Sequence, residues 1–103
     1  MEQPLRKLVD AIVSNNQAVF STLIDRSPSL ATASFIQGAT RRGSPATYFL
    51  EEIGHYIYSG DTALHFAAAA YRYEMAKQLI EAGAAVRARN RRGTEPLHAA
   101  ACG

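Results

Sequence analysis

The sequence lacks the features of a secreted or membrane-bound protein. Its single cysteine, Cys102, cannot form an internal disulfide, which fits a reducing compartment. No stretch approaches the roughly 20 consecutive apolar residues of a membrane span. The N-terminus also has no apolar run long enough for a signal peptide. We therefore expect a cytoplasmic protein that does not associate with a membrane.

Motifs for catalysis and cofactor binding are also missing. The chain has no glycine-rich phosphate loop, no paired-cysteine zinc spacing and no nucleophile elbow. Glu52 and His55 have the i, i+3 spacing of metal ligands in helical bundles, but no second such pair exists to complete a site. We predict that the chain is not an enzyme and has no catalytic residues, no metal and no cofactor.

The composition is that of an ordinary globular chain. The 103 residues suffice for one domain, and 48% of them are hydrophobic while 19% are charged. The net charge of +2 is mild, so it neither requires nor excludes a nucleic-acid partner. Alanine is abundant in the second half, which allows neighbouring helices to approach closely.

A repeat organises the second half of the chain. Three residues recur after 33 positions, in the pairs Gly60 and Gly93, Leu64 and Leu97, and His65 and His98. A period of this length indicates a stack of similar structural units.

The better-defined unit, residues 60–83, reads as a turn, a helix, a second turn and another helix. Thr62 is the predicted N-cap of the first helix, which continues through a run of alanines. The second helix is predicted over residues 74–82, with Gly83 at the left-handed stop position. Residues 84–92 then form an extended segment, which we call the finger, and Pro96 opens the next helix.

Two more helices are predicted near the N-terminus. Apolar residues at the spacing of one helical face indicate a helix over about residues 5–13. The second helix ends before Pro28, and its predicted apolar face consists of Val19, Phe20, Leu23 and Ile24. This hairpin aligns with the helices of residues 60–83 at a constant offset of 56.

The pattern Gly-x-Thr-Ala-Leu-His at residues 60–65, followed by alanines, Leu79-Ile80 and Gly83-Ala84, resembles the ankyrin repeat. The resemblance implies an all-α, ankyrin-like helical solenoid of stacked helix-turn-helix repeats with short extended fingers. It divides the chain into a degenerate N-terminal capping repeat (1–28), an insertion (29–58), a complete repeat (59–91) and a truncated third repeat (92–103). We expect an N-terminal fragment of a longer ankyrin repeat protein, with further repeats beyond the C-terminus.

The insertion is predicted to hold an exposed, charged loop at residues 38–45. A short helix is predicted at about residues 46–53, from the i, i+4, i+7 and i+8 spacing of Phe49, Ile53, Tyr56 and Ile57. Two interpretations are open for the insertion as a whole. It is either a binding element on one face of the stack or a structural plug between two unequal repeats.

The resemblance also implies structural roles for particular residues, namely Gly60, Thr62, Leu64, His65, Gly83, Gly93, Pro96, Leu97 and His98. In the family, the histidine bonds the threonine hydroxyl of its own motif and the backbone of the neighbouring loop. We therefore expect the repeat histidines to be structural, not metal ligands or catalytic groups. Thr62 supplies that hydroxyl for His65, whereas Glu95 occupies the equivalent place for His98.

A partner-binding surface is predicted from the arginines and aromatic residues, which are common interface anchors. The candidates are Tyr56, Tyr58, Phe66, Tyr73, Arg87, Arg89, Arg91 and Arg92. The alternative for the arginines is a solvated finger without a partner. The alternative for Tyr56 and Phe66 is packing against the insertion.

We interpret the chain as a non-catalytic scaffold that binds an unidentified protein partner through the finger tips and inner helices. One alternative is binding of nucleic acid or of an acidic partner through the arginine-rich finger. Nucleic acid is not the partner we expect. Another alternative is a regulatory repeat segment of a larger enzyme, which fold-level resemblance alone does not exclude.

Overall fold

Two helical hairpins form the framework of the fold. The computed structural model describes residues 3–36, 38, 49–50 and 55–96. Its elements in chain order are α1 (Gln3–Val13), α2 (Gln17–Arg26), a 3-10 helix (Pro28–Ala31), β1 (Phe49–Leu50), β2 (His55–Tyr56), α3 (Ala63–Ala69) and α4 (Tyr73–Glu81). The helical class expected from the sequence is confirmed, with one small antiparallel hairpin added between the two pairs of helices.

The N-terminal hairpin follows its apolar pattern closely in α1 and less closely in α2. Leu8, Val9 and Ile12 of α1 are fully buried, because they lie on the one face that the sequence spacing indicates. In α2, Phe20 is fully buried, whereas Val19 is exposed although it belongs to the predicted apolar face. The buried face of α2 is therefore narrower than the sequence suggests.

Helix α1 packs against both α2 and α3, so it lies at the centre of the fold. Ala63 and Ala67 of α3 are completely buried, and their small side chains allow close packing against the neighbouring helix. Met75 and Leu79 of α4 complete the core on the other side of α3. The run of alanines in α3 is thus explained by close packing.

The strand pair corrects one prediction made from the sequence. A helix was expected over residues 46–53, but residues 49–50 form β1, which pairs with β2 so that Phe49 lies opposite Tyr56. The two ring centroids are 4.8 Å apart, and cross-strand aromatic pairs of this kind stabilise a hairpin. The other residues of the expected helix and the loop at 39–45 lie outside the described residues.

Another part of the insertion fills the space beside α3. Phe35 is buried and packs edge to face on Phe66, with 6.0 Å between ring centroids. Its backbone donates to the Asp61 carbonyl at 2.9 Å and accepts from Gly60 at 2.7 Å. Phe35 thus fills space beside α3, as is expected of a structural plug. The division of the chain into four segments remains a prediction.

The turns between the paired helices use a left-handed backbone in both hairpins. Asn15 has a φ of 58° and Tyr71 a φ of 57°. These residues are 56 positions apart, which is the offset that aligns the two hairpins. Asparagine adopts this conformation readily, whereas it costs most other residues about 1–2 kcal/mol. The backbone at Tyr71 is therefore strained, whereas the backbone of a glycine at this position would be unstrained.

Arg72 connects the second hairpin to the first. Its Nε donates to the carbonyl of Ile12 at 3.1 Å, and its Nη2 donates to the carbonyl of Val13 at 3.0 Å. These carbonyls belong to the last turn of α1, where backbone oxygens have no partner within the helix. A cation at this end also interacts favourably with the helix dipole, so Arg72 caps α1 from a distant part of the sequence.

We expect Arg72→Ala to lower the free energy of unfolding by about 1.5–3 kcal/mol, because two charge-assisted hydrogen bonds are lost. Urea denaturation of the whole chain measures this change. Lys77→Ala is the matched control, since Lys77 is an exposed cation within α4 and its removal should change stability by less than about 0.5 kcal/mol. Equal effects of the two substitutions would show that Arg72 does not cap α1.

We expect Tyr71→Gly to raise the free energy of unfolding by about 0.5–1 kcal/mol, because glycine adopts the left-handed conformation without steric strain. Tyr73→Gly, at the first residue of α4, should give no such gain, since the backbone there is already unstrained for a residue with a side chain. Both changes are measured by urea denaturation. A loss of stability in Tyr71→Gly would mean that the contacts of the tyrosine side chain outweigh the strain.

Candidate partner-binding surface

The turn that enters α3, residues 58–61, is fixed by one buried carboxylate. Oδ2 of Asp61 accepts the backbone N–H of Tyr58 at 2.8 Å, and Oδ1 accepts the side-chain amide of Asn90 at 2.7 Å. Asp61 is buried, so each of these bonds forms where water competes little. The same side chain therefore closes its own turn and holds the segment that follows α4.

Asn90 shapes that following segment, which we call the finger turn (residues 90–94). Its side-chain oxygen accepts the backbone N–H groups of Arg92 at 2.9 Å and of Thr94 at 3.0 Å. Asparagine side chains favour turns because they replace backbone hydrogen bonds in this way. The positions of Arg91 and Arg92 are consequently set by a side chain that is itself bonded to Asp61.

The backbones of the two turns lie in direct contact. Arg91 donates its N–H to the carbonyl of Ser59 at 2.7 Å. Gly60 has a φ of 86°, and a Cβ atom at this position would lie 2.9 Å from the Cα atom of Asn90. Glycine is required here for both its left-handed backbone and its lack of a side chain. The finger turn therefore sits directly on the turn that enters α3.

His65 makes a third connection, deeper in the fold. Its Nδ1 accepts the backbone N–H of Thr62 at 3.1 Å and lies 2.9 Å from the threonine hydroxyl, while its Nε2 lies 2.7 Å from the carbonyl of Thr94. Because a backbone N–H can only donate, Nδ1 is the acceptor and the ring proton lies on Nε2. Nε2 then donates to the finger turn. These are the bonds that the resemblance implies for a structural histidine.

Tyr58 and Arg92 meet at the surface above these connections. The guanidinium carbon of Arg92 lies 5.3 Å from the centroid of the Tyr58 ring, and Nη1 donates to the tyrosine hydroxyl at 3.4 Å. The separation is within the range of a cation–π interaction. Next to them, Arg91 is exposed, and its guanidinium has no hydrogen bond or ion pair within the described part of the chain. We call Tyr58, Arg91 and Arg92 the arginine–tyrosine edge.

The other two arginines of the finger are paired with one glutamate. Nε of Arg87 lies 3.5 Å from Glu95, and Nε of Arg89 lies 3.4 Å from it. Desolvation alone would raise the pKa of Glu95, but the charge of Arg87 and the hydrogen bonds from Arg89 and Arg87 lower that pKa below its usual value. The arginine side chains themselves are 80% and 69% exposed.

The aromatic candidates do not form a single surface patch. Phe66 is only 2% exposed and packs on Phe35, so it belongs to the core. Tyr56 pairs with Phe49 in the small hairpin. Tyr73 is 79% exposed, but it begins α4 after α3 has ended, at the opposite end of the α3–α4 hairpin from Tyr58. Among the aromatic candidates, only Tyr58 is shown in contact with one of the candidate arginines.

The structure describes some of the remaining repeat residues and not others. Gly83 and Gly93 have left-handed backbones, with φ of 103° and 75°, and Pro96 is buried in a helical conformation. Leu97 and His98 lie outside the described residues, as does Glu52. His55, its expected partner in a metal site, lies in β2 and not on a helix.

Two residues that organise the surface were not found by sequence reasoning. Asp61 and Asn90 are 29 positions apart and hydrogen-bond directly to each other. The available signal was local, because aspartate and asparagine favour turns in which their side chains bond the backbone. Nothing in their sequence spacing indicates that the two turns are joined.

The described residues show no cluster suited to metal binding. No group of three or more His, Cys, Asp or Glu side chains within them is arranged to hold an ion. Among the helices in the same part of the chain, none is both long and apolar enough to span a membrane. A groove of about 290 Å³ lies on the first hairpin, lined by Lys7, Asp10, Ala11, Ser14, Asn16, Val19 and Leu23.

We expect Glu95→Gln to lower stability at neutral pH, because the charge paired with Arg87 and Arg89 is lost. A carboxyl group whose pKa is lowered by folding stabilises the folded state above its unfolded pKa of about 4.3. That contribution declines as the pH falls through the folded pKa. Urea denaturation at several pH values measures the free energy of unfolding of the wild-type chain and of Glu95→Gln. The two values should differ at neutral pH and become equal in acid. A difference that persists in strong acid would exclude the ion pairs as its cause.

Comparison with known proteins agrees with the second helical hairpin and with the bonds of His65. The family described as ankyrin repeats (3 copies) matches residues 36–103, which is about two thirds of the chain. No curated protein matches the sequence significantly. The family match begins within the segment that we predicted to be an insertion and extends over both turns that carry the arginine–tyrosine edge. With its helices, turn glycines and histidine bonds in agreement with that match, the chain belongs to the ankyrin repeat family.

Proposed function

We propose that the chain is a non-catalytic protein-interaction module that contacts its partner through the arginine–tyrosine edge. Ankyrin repeats are in general protein–protein interaction modules. The observation that carries the proposal is the exposed pair Arg91 and Arg92 beside Tyr58, on turns held by partly buried hydrogen bonds. Tyrosine and arginine are among the residues that contribute most to binding energy at interfaces.

The rigid support of the edge favours binding. Asn90 fixes the backbone at Arg92, and Ser59 holds the N–H of Arg91. Since these backbone positions are already ordered, a partner loses less conformational entropy on binding than it would on a mobile loop. The stacking of Arg92 on Tyr58 orders its side chain in the same way.

The polar residues that hold the edge in place support binding rather than catalysis. Asp61, His65 and Asn90 are each engaged in hydrogen bonds that hold backbone or neighbouring side chains. Within the described residues, no buried side-chain nitrogen or oxygen lacks a hydrogen-bond partner. A general acid or base needs a group that can reach a substrate, and these three side chains are committed to structure.

Site-specific photo-crosslinking tests this proposal on the whole chain. Tyr58 is replaced by the photoreactive p-benzoylphenylalanine, and Tyr73 receives the same replacement as a matched control at the other end of the hairpin. We expect protein adducts from cell extract that form at position 58 and are absent or much weaker at position 73. Circular dichroism checks that both variants keep their helical content.

The products of this crosslinking decide between the possible outcomes. Adducts of equal yield at both positions would exclude the arginine–tyrosine edge as the binding surface. Adducts at position 58 that disappear after nuclease treatment would identify nucleic acid as the partner and contradict the proposal. Mass spectrometry of the remaining adducts identifies the partner protein and the segment that lies against Tyr58.

A further inference from the structure

The positive charge of the finger is unevenly distributed. Glu95 is paired with Arg87 and Arg89, which lie at one end. Arg91 and Arg92 lie at the other end, and neither has an acidic partner in the described part of the chain. Glu95 offsets one of the two charges at its end, so the larger net positive charge of the finger lies on two consecutive residues beside Tyr58.

Both of these arginines have donors left for a ligand. A guanidinium carries five N–H donors in a fixed fork and binds a carboxylate through two parallel bonds. For Arg92, the described partners are the Tyr58 hydroxyl, which accepts from Nη1, and the Tyr58 ring. For Arg91, only the backbone N–H has a hydrogen-bond partner among the described residues, namely the carbonyl of Ser59. Two exposed guanidinium groups are thus held on one ordered turn, each with room for an acceptor.

We infer that the arginine–tyrosine edge binds an acidic peptide segment of the partner protein, with aspartate or glutamate carboxylates on Arg91 and Arg92. This inference rests on the proposed function and specifies the chemistry of its partner. Tyr58 contributes an aromatic surface and orders Arg92 for the bond. The charge of the edge is complementary to that of the ligand, and such complementarity increases both the association rate and the specificity.

Nucleic acid fits the same surface less well. Proteins that bind it without sequence preference place many cations along the phosphate backbone, and their affinity falls steeply with salt as each contact releases a counterion. Here, the row of arginines is interrupted electrostatically, because Glu95 pairs with Arg87 and Arg89. The edge offers two available cations, which suits a short acidic segment better than a phosphate backbone.

Fluorescence anisotropy with a labelled hexaglutamate peptide tests the inference directly, with the hexaglutamine peptide as the uncharged probe. We expect the wild-type chain to bind hexaglutamate at low salt, with an affinity that falls as salt is added. The double variant Arg91→Ala and Arg92→Ala should bind about tenfold or more weakly, because two charge-assisted contacts are lost.

The finger provides its own matched control. The double variant Arg87→Ala and Arg89→Ala removes the same number of identical side chains from the same segment, yet its affinity should change by less than about threefold, since Glu95 offsets one of their two charges and engages both side chains. Glu95→Gln should increase the affinity for hexaglutamate, because it removes the negative charge that faces Arg87 and Arg89. Circular dichroism and thermal melting confirm that each variant is folded before binding is compared.

Several results would overturn the inference. These are equal binding of hexaglutamine, equal losses in the two double variants, or no detectable binding of hexaglutamate at low salt. Tighter binding of single-stranded DNA of the same charge would assign the edge to nucleic acid. The proposed function is judged separately by crosslinking. Protein adducts at Tyr58 through a segment without acidic residues would leave the proposed function standing and remove only the inference.

Discussion

The structure around the candidate surface depends on a small set of partly or fully buried hydrogen bonds that join two turns distant in sequence. His65 joins Thr62 to the carbonyl of Thr94, and Asp61 joins the turn that enters α3 to Asn90. A buried polar group without a partner costs about 1–3 kcal/mol, so these bonds stabilise one another. If one turn moved, the partners left in the other turn would lose their hydrogen bonds. Both turns therefore hold a single relative position.

The polar residues of this region fall into two groups, those that hold the turns together and those that remain available for binding. The carboxylate of Asp61 and the amide of Asn90 face each other inside the fold, whereas the guanidinium groups of Arg91 and Arg92 remain at the surface. The exposed arginines also differ among themselves, because Glu95 pairs only with Arg87 and Arg89 and offsets one of their two charges. Of the four arginines of the finger, two are therefore without an acidic partner among the described residues.

Sequence periodicity was sufficient for those parts of the fold whose determinants are local. The 33-residue repeat located α3 and α4, and Gly83 marks the end of α4 with a left-handed backbone. It failed at β1, because a strand pair can place apolar residues at intervals that also suit a helix over a short segment. It also failed for the aromatic patch, since Phe66 and Tyr73 are near each other in sequence but lie in the core and at the far turn. The bond between Asp61 and Asn90 spans 29 residues, and a single sequence contains no signal for such a pair.

The cap that Arg72 places on α1 affects how the chain folds. In repeat proteins, each unit contacts only its neighbours, and stability is approximately a sum of the units and their interfaces. Here, the first helix completes its own backbone hydrogen bonding only when the turn of the second hairpin is in place. Together with the packing of α1 on α3, this cap couples the formation of the two hairpins. We therefore expect the pair of hairpins to unfold as one cooperative unit that is larger than a single repeat.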